Sequence, residues 1–175
     1  MKKITMLLAI IAFFASTNHA IAQKTEEKYN RNFKIGFGLN SGIPLNKPYE
    51  FSIGGDARLQ YNLTELVSIC LTSGYNTISV KDSDVNYRYI PIKVGYKSFL
   101  LKNQIYLMGE VGAAISLTKE YRNSILFAPS LGYATKRFDI SLRYDILRDI
   151  PTLKDGRIDD GYAQLMVRLA YGFNL

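Results

Sequence analysis

The fold class predicted for this chain is all-β: an eight-stranded antiparallel up-and-down transmembrane β-barrel with a packed polar lumen. Three observations over its 175 residues predict it. Apolar residues recur with period two through nearly everything after residue 32, the period of a strand whose two faces differ. The alternating segments number eight, an even count that brings the end of the chain back to the side where it began. The residues between the apolar ones are mostly small, with a few charges of both signs, as in a crowded interior.

The elements follow in order. The chain opens MKKITMLLAIIAFFASTNHAIAQ. Lys2 and Lys3 form a basic start, Ile4 to Ala15 an apolar run, and Ala20-Ile21-Ala22 a small-x-small cleavage site. Residues 1–22 therefore read as a cleaved secretory signal peptide; the apolar run is too short for a comfortable membrane anchor. The single histidine, His19, falls inside it. Residues 23–32 form a short polar N-terminal lead, and residues 33–175 the barrel domain. The one cysteine, Cys70, has no partner for an internal disulfide.

The first strand is expected over 33–40, with Phe33, Ile35, Phe37 and Leu39 on one face. The second covers 51–61 (Phe51, Ile53, Ala57, Leu59, Tyr61) and the third 66–76 (Val67, Ile69, Leu71, Tyr75). The fourth runs 87–97 (Ile90, Ile92, Val94, Tyr96), the fifth 105–117 (Leu107, Val111, Ala113, Ile115, Leu117) and the sixth 125–133 (Phe127, Leu131, Tyr133). The seventh is FDISLRYDIL, 138–147, and the eighth 163–175 (Leu165, Val167, Leu169, Tyr171, Phe173, Leu175). Long connections are expected at 41–50, 77–86, 118–124 and 148–161, shorter ones at 62–65, 98–104 and 134–137. Long loops on one side and short turns on the other are the pattern of a bacterial outer-membrane barrel. Pro91 and Pro129 fall inside strands, where each is expected to mark a bulge or a strand end.

Alternation alone does not say which face looks outward, because a soluble lipocalin-like barrel has the same period with the faces reversed. The polar face decides. It reads Ser68, Cys70, Thr72, Gly74, Asn76 on the third strand, Gly112, Ala114, Ser116 on the fifth and Ala128, Ser130, Gly132 on the sixth. A face in water would carry many long charged side chains; these residues make room. The large members of the same face are Lys34, Asp56, Arg58, Lys93, Lys97, Glu110, Asp139, Arg143, Asp145 and Arg168. Charges in a narrow lumen need partners, so these ten are expected to form a cross-strand ion-pair network of structural purpose. Tyr61, Tyr75, Tyr96, Tyr133, Phe138, Tyr144, Tyr171 and Phe173 lie on the apolar face, placed to form interfacial aromatic girdles.

With the signal segment, the eight strands, YRYIPIKVGYK at 87–97 and the ending VRLAYGFNL in view, the chain resembles the small outer-membrane β-barrel family of Gram-negative bacteria, the OmpX/OmpA-type or porin-family barrels. The resemblance covers nearly all of 33–175. It implies that Tyr171, Phe173 and Leu175 form the final-strand signal read by the barrel-assembly machinery, although the family usually ends in Phe where this chain has Leu175. It also implies an outer-membrane location with both termini periplasmic, contact with outer-membrane lipid, and a monomer.

Some barrels of this kind are lipid-modifying enzymes that use a serine activated by histidine. With His19 in the signal, the mature chain has no such base, so Ser141, between Asp139 and Arg143, reads as a lumen residue. Gly36-Phe37-Gly38 lacks the spacing and helix of a nucleotide loop. Asp155 to Asp160 carries Arg157 where a calcium loop needs an acid. The formal charge of +7 is not gathered into a basic stripe, which argues against nucleic acid. No cofactor, metal or catalytic residue is expected. The expected function is a non-enzymatic barrel acting in membrane structure or surface interaction through four long external loops. The alternatives are a narrow pore for ions or small solutes and a secreted lipocalin-like binding barrel.

Overall fold

The computed structural model describes residues 32–81, 86–100, 104–119, 121–154 and 157–174, with the side chains of 149, 151–154 and 157–160 outside that description. The expected signal peptide 1–22, all of the lead 23–32 but its last residue, the Asp155-Gly156 pair and Leu175 fall outside these residues.

Eight strands make up the fold: β1 (Phe33–Pro44), β2 (Tyr49–Asn62), β3 (Val67–Val80), β4 (Tyr87–Leu100), β5 (Ile105–Ser116), β6 (Ser124–Ala134), β7 (Phe138–Lys154) and β8 (Arg157–Asn174). Each pairs antiparallel with the next, and β8 pairs with β1 from Lys34↔Asn174 to Pro44↔Gln164, so the sheet closes into a barrel. Closure leaves no edge strand with unpaired backbone groups. The start of β1 and the end of β8 lie at one end, together with the connections 63–66, 101–104 and 135–137. We call this the terminal end; the opposite, far end carries the connections 45–48, 81–86, 117–123 and 155–156.

The expected long loops are corrected here. Strands take up 41–44, 49–50, 77–80, 148–154 and 157–161, whereas 118–123 lies between β5 and β6 as expected; the largest change is at 148–161, where pairing runs on from Pro151↔Asp160 to Lys154↔Arg157. The apolar alternation fades in these stretches while the backbone ladder, which needs no apolar side chains, continues. Because β6 stops pairing with β7 at Leu126↔Leu147 and β1 stops pairing with β8 at Pro44↔Gln164, the β7–β8 hairpin projects past its neighbours. A register shift between Leu147 and Pro151 sets the hairpin's base. Opposite it Gly161 adopts φ 144°, a backbone conformation that a side chain would strain.

The prolines also depart from expectation. Pro91 pairs with Ala114 and Pro129 with Gly109, both opposite β5, so each sits within a strand and marks neither a bulge nor an end. On their other sides the ladder is interrupted, from Ser73↔Ile92 to Asn76↔Tyr89 and from Ser130↔Arg143 to Phe127↔Ile146, with register unchanged. A proline has no N–H to donate, and the ladder accommodates this by skipping a step rather than slipping.

Candidate functional site

Period two on a closed ring sorts every strand residue to the lumen or to the outer face, and here burial is inverted relative to a soluble protein. Large apolar side chains lie outside, among them Leu39 at 74%, Ile43 at 65% and Leu169 at 57% exposure. Polar and charged ones are inside, including Glu110 at 0% and Lys93, Arg143 and Arg168 at 1%. At the terminal end the outer face carries an aromatic group. Phe33 meets Tyr61 with ring centroids 4.6 Å apart, and Tyr171 lies between Phe138 and Phe173 at 5.1 and 4.8 Å. Tyr96 and Tyr133 face outward near the same end, and Tyr75 and Tyr144 face outward deeper into their strands.

The lumen has three levels. The first, nearest the termini, is built on Asp139. Its carboxylate accepts hydrogen bonds from Lys97 Nζ at 2.8 Å and from the Tyr106 hydroxyl at 2.8 Å, and Arg168 Nη1 stands 3.5 Å away. Lys97 also lies over the Tyr106 ring, 3.7 Å from its centroid, a cation–π contact that serves an ammonium taken out of water. Gly132 faces Tyr106 so closely that a Cβ there would run into the ring. Gln60, Asn62 and Ser68 bond to one another beside this level, and Cys70 is buried with Tyr106 and Met108.

The second level is the centre of the network. Asp56 accepts two bonds from Arg168, at 2.9 Å from Nε and 2.6 Å from Nη2, and one from Asn40 at 2.9 Å. Glu110 accepts from Lys93 at 3.0 Å and Arg58 at 3.5 Å, and Arg58 also donates to Thr72 at 3.1 Å. Arg143 donates to Asp145 at 2.6 Å and stands 3.8 Å from Asp56. Each charge reaches across the lumen to another strand or to its own next-but-one neighbour. A Cβ on Gly38 would come 2.9 Å from the Arg168 guanidinium, so the glycine leaves the space that the arginine fills.

The third level, at the far end, is apolar and aromatic. Tyr49, Ile78, Tyr87, Tyr89, Ala114, Leu126, Leu147, Ile150 and Tyr162 form one buried cluster, with Tyr121 and Val80 against it. Tyr87 stacks on Tyr89 at 5.1 Å, and Tyr49 meets Tyr162 edge-on at 4.9 Å. The level is tied to the network below it through Gln164, which accepts from the Tyr162 hydroxyl at 2.7 Å and donates toward Asp145 at 3.4 Å.

Of the ten charged residues singled out from the sequence, nine take part in the ion pairs just described. Lys34 lies at the mouth of the lumen, where it makes no ion pair among the described residues. Ser141 is 4% exposed, and its neighbours Asp139 and Arg143 are engaged with Lys97 and Asp145; among the described residues there is no histidine. Sequence reasoning missed the inward tyrosines and Gln164. Parity was the available signal: Tyr87 and Tyr89 alternate in step with Lys93 and Lys97, Tyr106 with Glu110, and Tyr162 and Gln164 with Arg168.

No family model and no curated protein sequence matches the chain. Solved structures do. The N-terminal β-barrel domain of Pseudomonas aeruginosa OprF is similar with a TM-score of 0.58 at 12% identity, over 82% of this chain and 100% of that one. Ail, the attachment invasion locus protein of Yersinia pestis, gives 0.54 at 14% identity over 83% and 99%. A transmembrane β-barrel designed de novo gives 0.51 at 9% identity over 85% and 100%. At these identities the likeness is one of fold.

Proposed function

We propose that this chain, whose fold is that of the small eight-stranded outer-membrane β-barrels, is an integral outer-membrane protein with a non-catalytic role in membrane structure or surface interaction. The inversion of burial carries this reading. An outer face of exposed Leu, Ile, Val and Phe around a charged interior is stable only where the surrounding solvent is itself apolar. A lipocalin-like barrel would hold those residues inside and its charges outside, the reverse of what is found.

The terminal end faces the periplasm in this reading, and the aromatics Phe33, Tyr61, Phe138, Tyr171 and Phe173 lie at the inner interface. Tyr171 and Phe173, with Leu175 beyond them, supply the signal for the barrel-assembly machinery. The far end then faces outward, and its projecting β7–β8 hairpin is the part of the protein best placed to meet another surface. The protein acts as a monomer. Conduction is disfavoured by the filled second and third levels, since an interior of this width is occupied by its side chains.

Fractionation and conductance test the proposal. The mature protein is expected in the outer-membrane fraction, released only by detergent, and silent in planar bilayers. Recovery as a soluble periplasmic protein would refute the membrane reading. Stable single-channel steps would replace the structural role with a pore.

A further inference from the structure

Among the described residues, the ion pairs of the lumen hold more bases than acids. The ion pairs involve five bases, Arg58, Lys93, Lys97, Arg143 and Arg168, against four acids, Asp56, Glu110, Asp139 and Asp145. A net positive charge inside a low-dielectric interior is costly unless something compensates it. At the terminal end a cavity of about 480 Å³ opens. Arg58, Lys97 and Arg168 line its depth and Lys34, Lys136 and Arg137 its rim, with Asp139 the only carboxylate among its described lining residues. The three rim bases make no ion pair among the described residues. At the floor, Arg58 is 5% exposed, and its Nη1 has no hydrogen-bond partner among the described residues.

We propose that this mouth is an anion-binding vestibule, a blind pocket that takes small solutes bearing a phosphate or carboxylate group from the side of the termini. Guanidinium forks and ammonium groups converging on a partly dehydrated space are the chemistry that recognises an oxyanion. The second level of the lumen closes the pocket's inner side, so the anion is held rather than passed. The rim bases draw it in from water.

The test uses the mature barrel folded in dodecyl maltoside, an uncharged detergent without phosphate, with inorganic phosphate as the probe and its ³¹P line width as the readout. Saturable broadening is expected. Arg58→Gln risks misfolding, so the rim is altered instead: Lys34→Gln with Lys136→Gln should weaken binding roughly tenfold, about 1.4 kcal/mol. Lys119→Gln, at the far end, should leave it unchanged. Absence of saturable binding, or equal weakening by Lys119→Gln, would overturn the vestibule. A second arm places the barrel in bilayers with and without phosphatidylglycerol. Undiminished phosphate binding supports a soluble ligand, whereas its loss only with the anionic lipid would assign the basic mouth to a lipid headgroup and overturn the soluble form.

Discussion

The two ends of the lumen are filled by opposite means. Toward the termini, space is occupied by charges in pairs, with Tyr106 recruited as a hydrogen-bond donor to Asp139 and a face for Lys97. Toward the far end it is occupied by stacked and edge-on tyrosines among Ile78, Leu126, Leu147 and Ile150. The same residue type thus does two jobs. In the charged region Tyr106 serves the charges, through its hydroxyl and its ring face, and in the aromatic region tyrosines pack on one another. A paired charge holds only while its partner is present, whereas an apolar cluster spreads its stabilisation over many weak contacts. The charged region should therefore fail sharply under substitution, and the aromatic region gradually.

Four substitutions bear on that contrast. The largest effect is expected in the charged region. Arg143→Ala strands Asp145 and should cost about 3–5 kcal/mol, the range for breaking a buried pair. Adding Asp145→Ala should restore part of the loss in a double-mutant cycle on urea unfolding in vesicles. A cost near that of a surface pair, about 0–1 kcal/mol, would erase the distinction between the regions. Next comes Tyr106→Phe, which removes a hydroxyl bonded to a carboxylate; its expected cost in the same titration is about 1.5–3 kcal/mol. Tyr162→Phe, at the aromatic end, loses only a neutral bond to Gln164 and should cost about 0.5–1.5 kcal/mol. Smallest of all is Tyr87→Phe. The Tyr87 hydroxyl is buried and has no hydrogen-bond partner among the described residues, so its removal should leave the unfolding midpoint unchanged or slightly raised. If Tyr87→Phe destabilises as much as Tyr106→Phe, the far-end tyrosines are held by their hydroxyls after all.

Strand number and the sorting of faces are legible in the sequence because both depend on parity, which local composition displays directly. FDISLRYDIL sends Asp139, Ser141, Arg143 and Asp145 to one side whatever the neighbouring strands do. Parity extends further than composition suggests. In YRYIPIKVGYK it places Tyr87 and Tyr89 with the lysines, although aromatics at a strand end in such a barrel invite assignment to an outer girdle. Strand ends are less legible, because a mixed stretch such as 148–154 can pair across a hairpin as well as form a loop. Ion-pair partners across the lumen are not legible. Arg168 and Asp56 are 112 positions apart and meet across the lumen on strands that share no ladder, and no local pattern encodes that.

The β1–β8 seam has a consequence in time. It joins the first strand to the last, so it is the contact of greatest sequence separation in the ladder, and contacts of that kind slow folding because a long chain segment must be ordered before they form. Until β8 arrives, β1 and β7 each keep an open edge and Asp56 lacks its closest base. Arrival of β8 seals the seam and delivers Arg168 in a single step, so Asp56 gains that base only as the ring closes. A chain that stops short of β8 is left open along the wall and under-neutralised at Asp56.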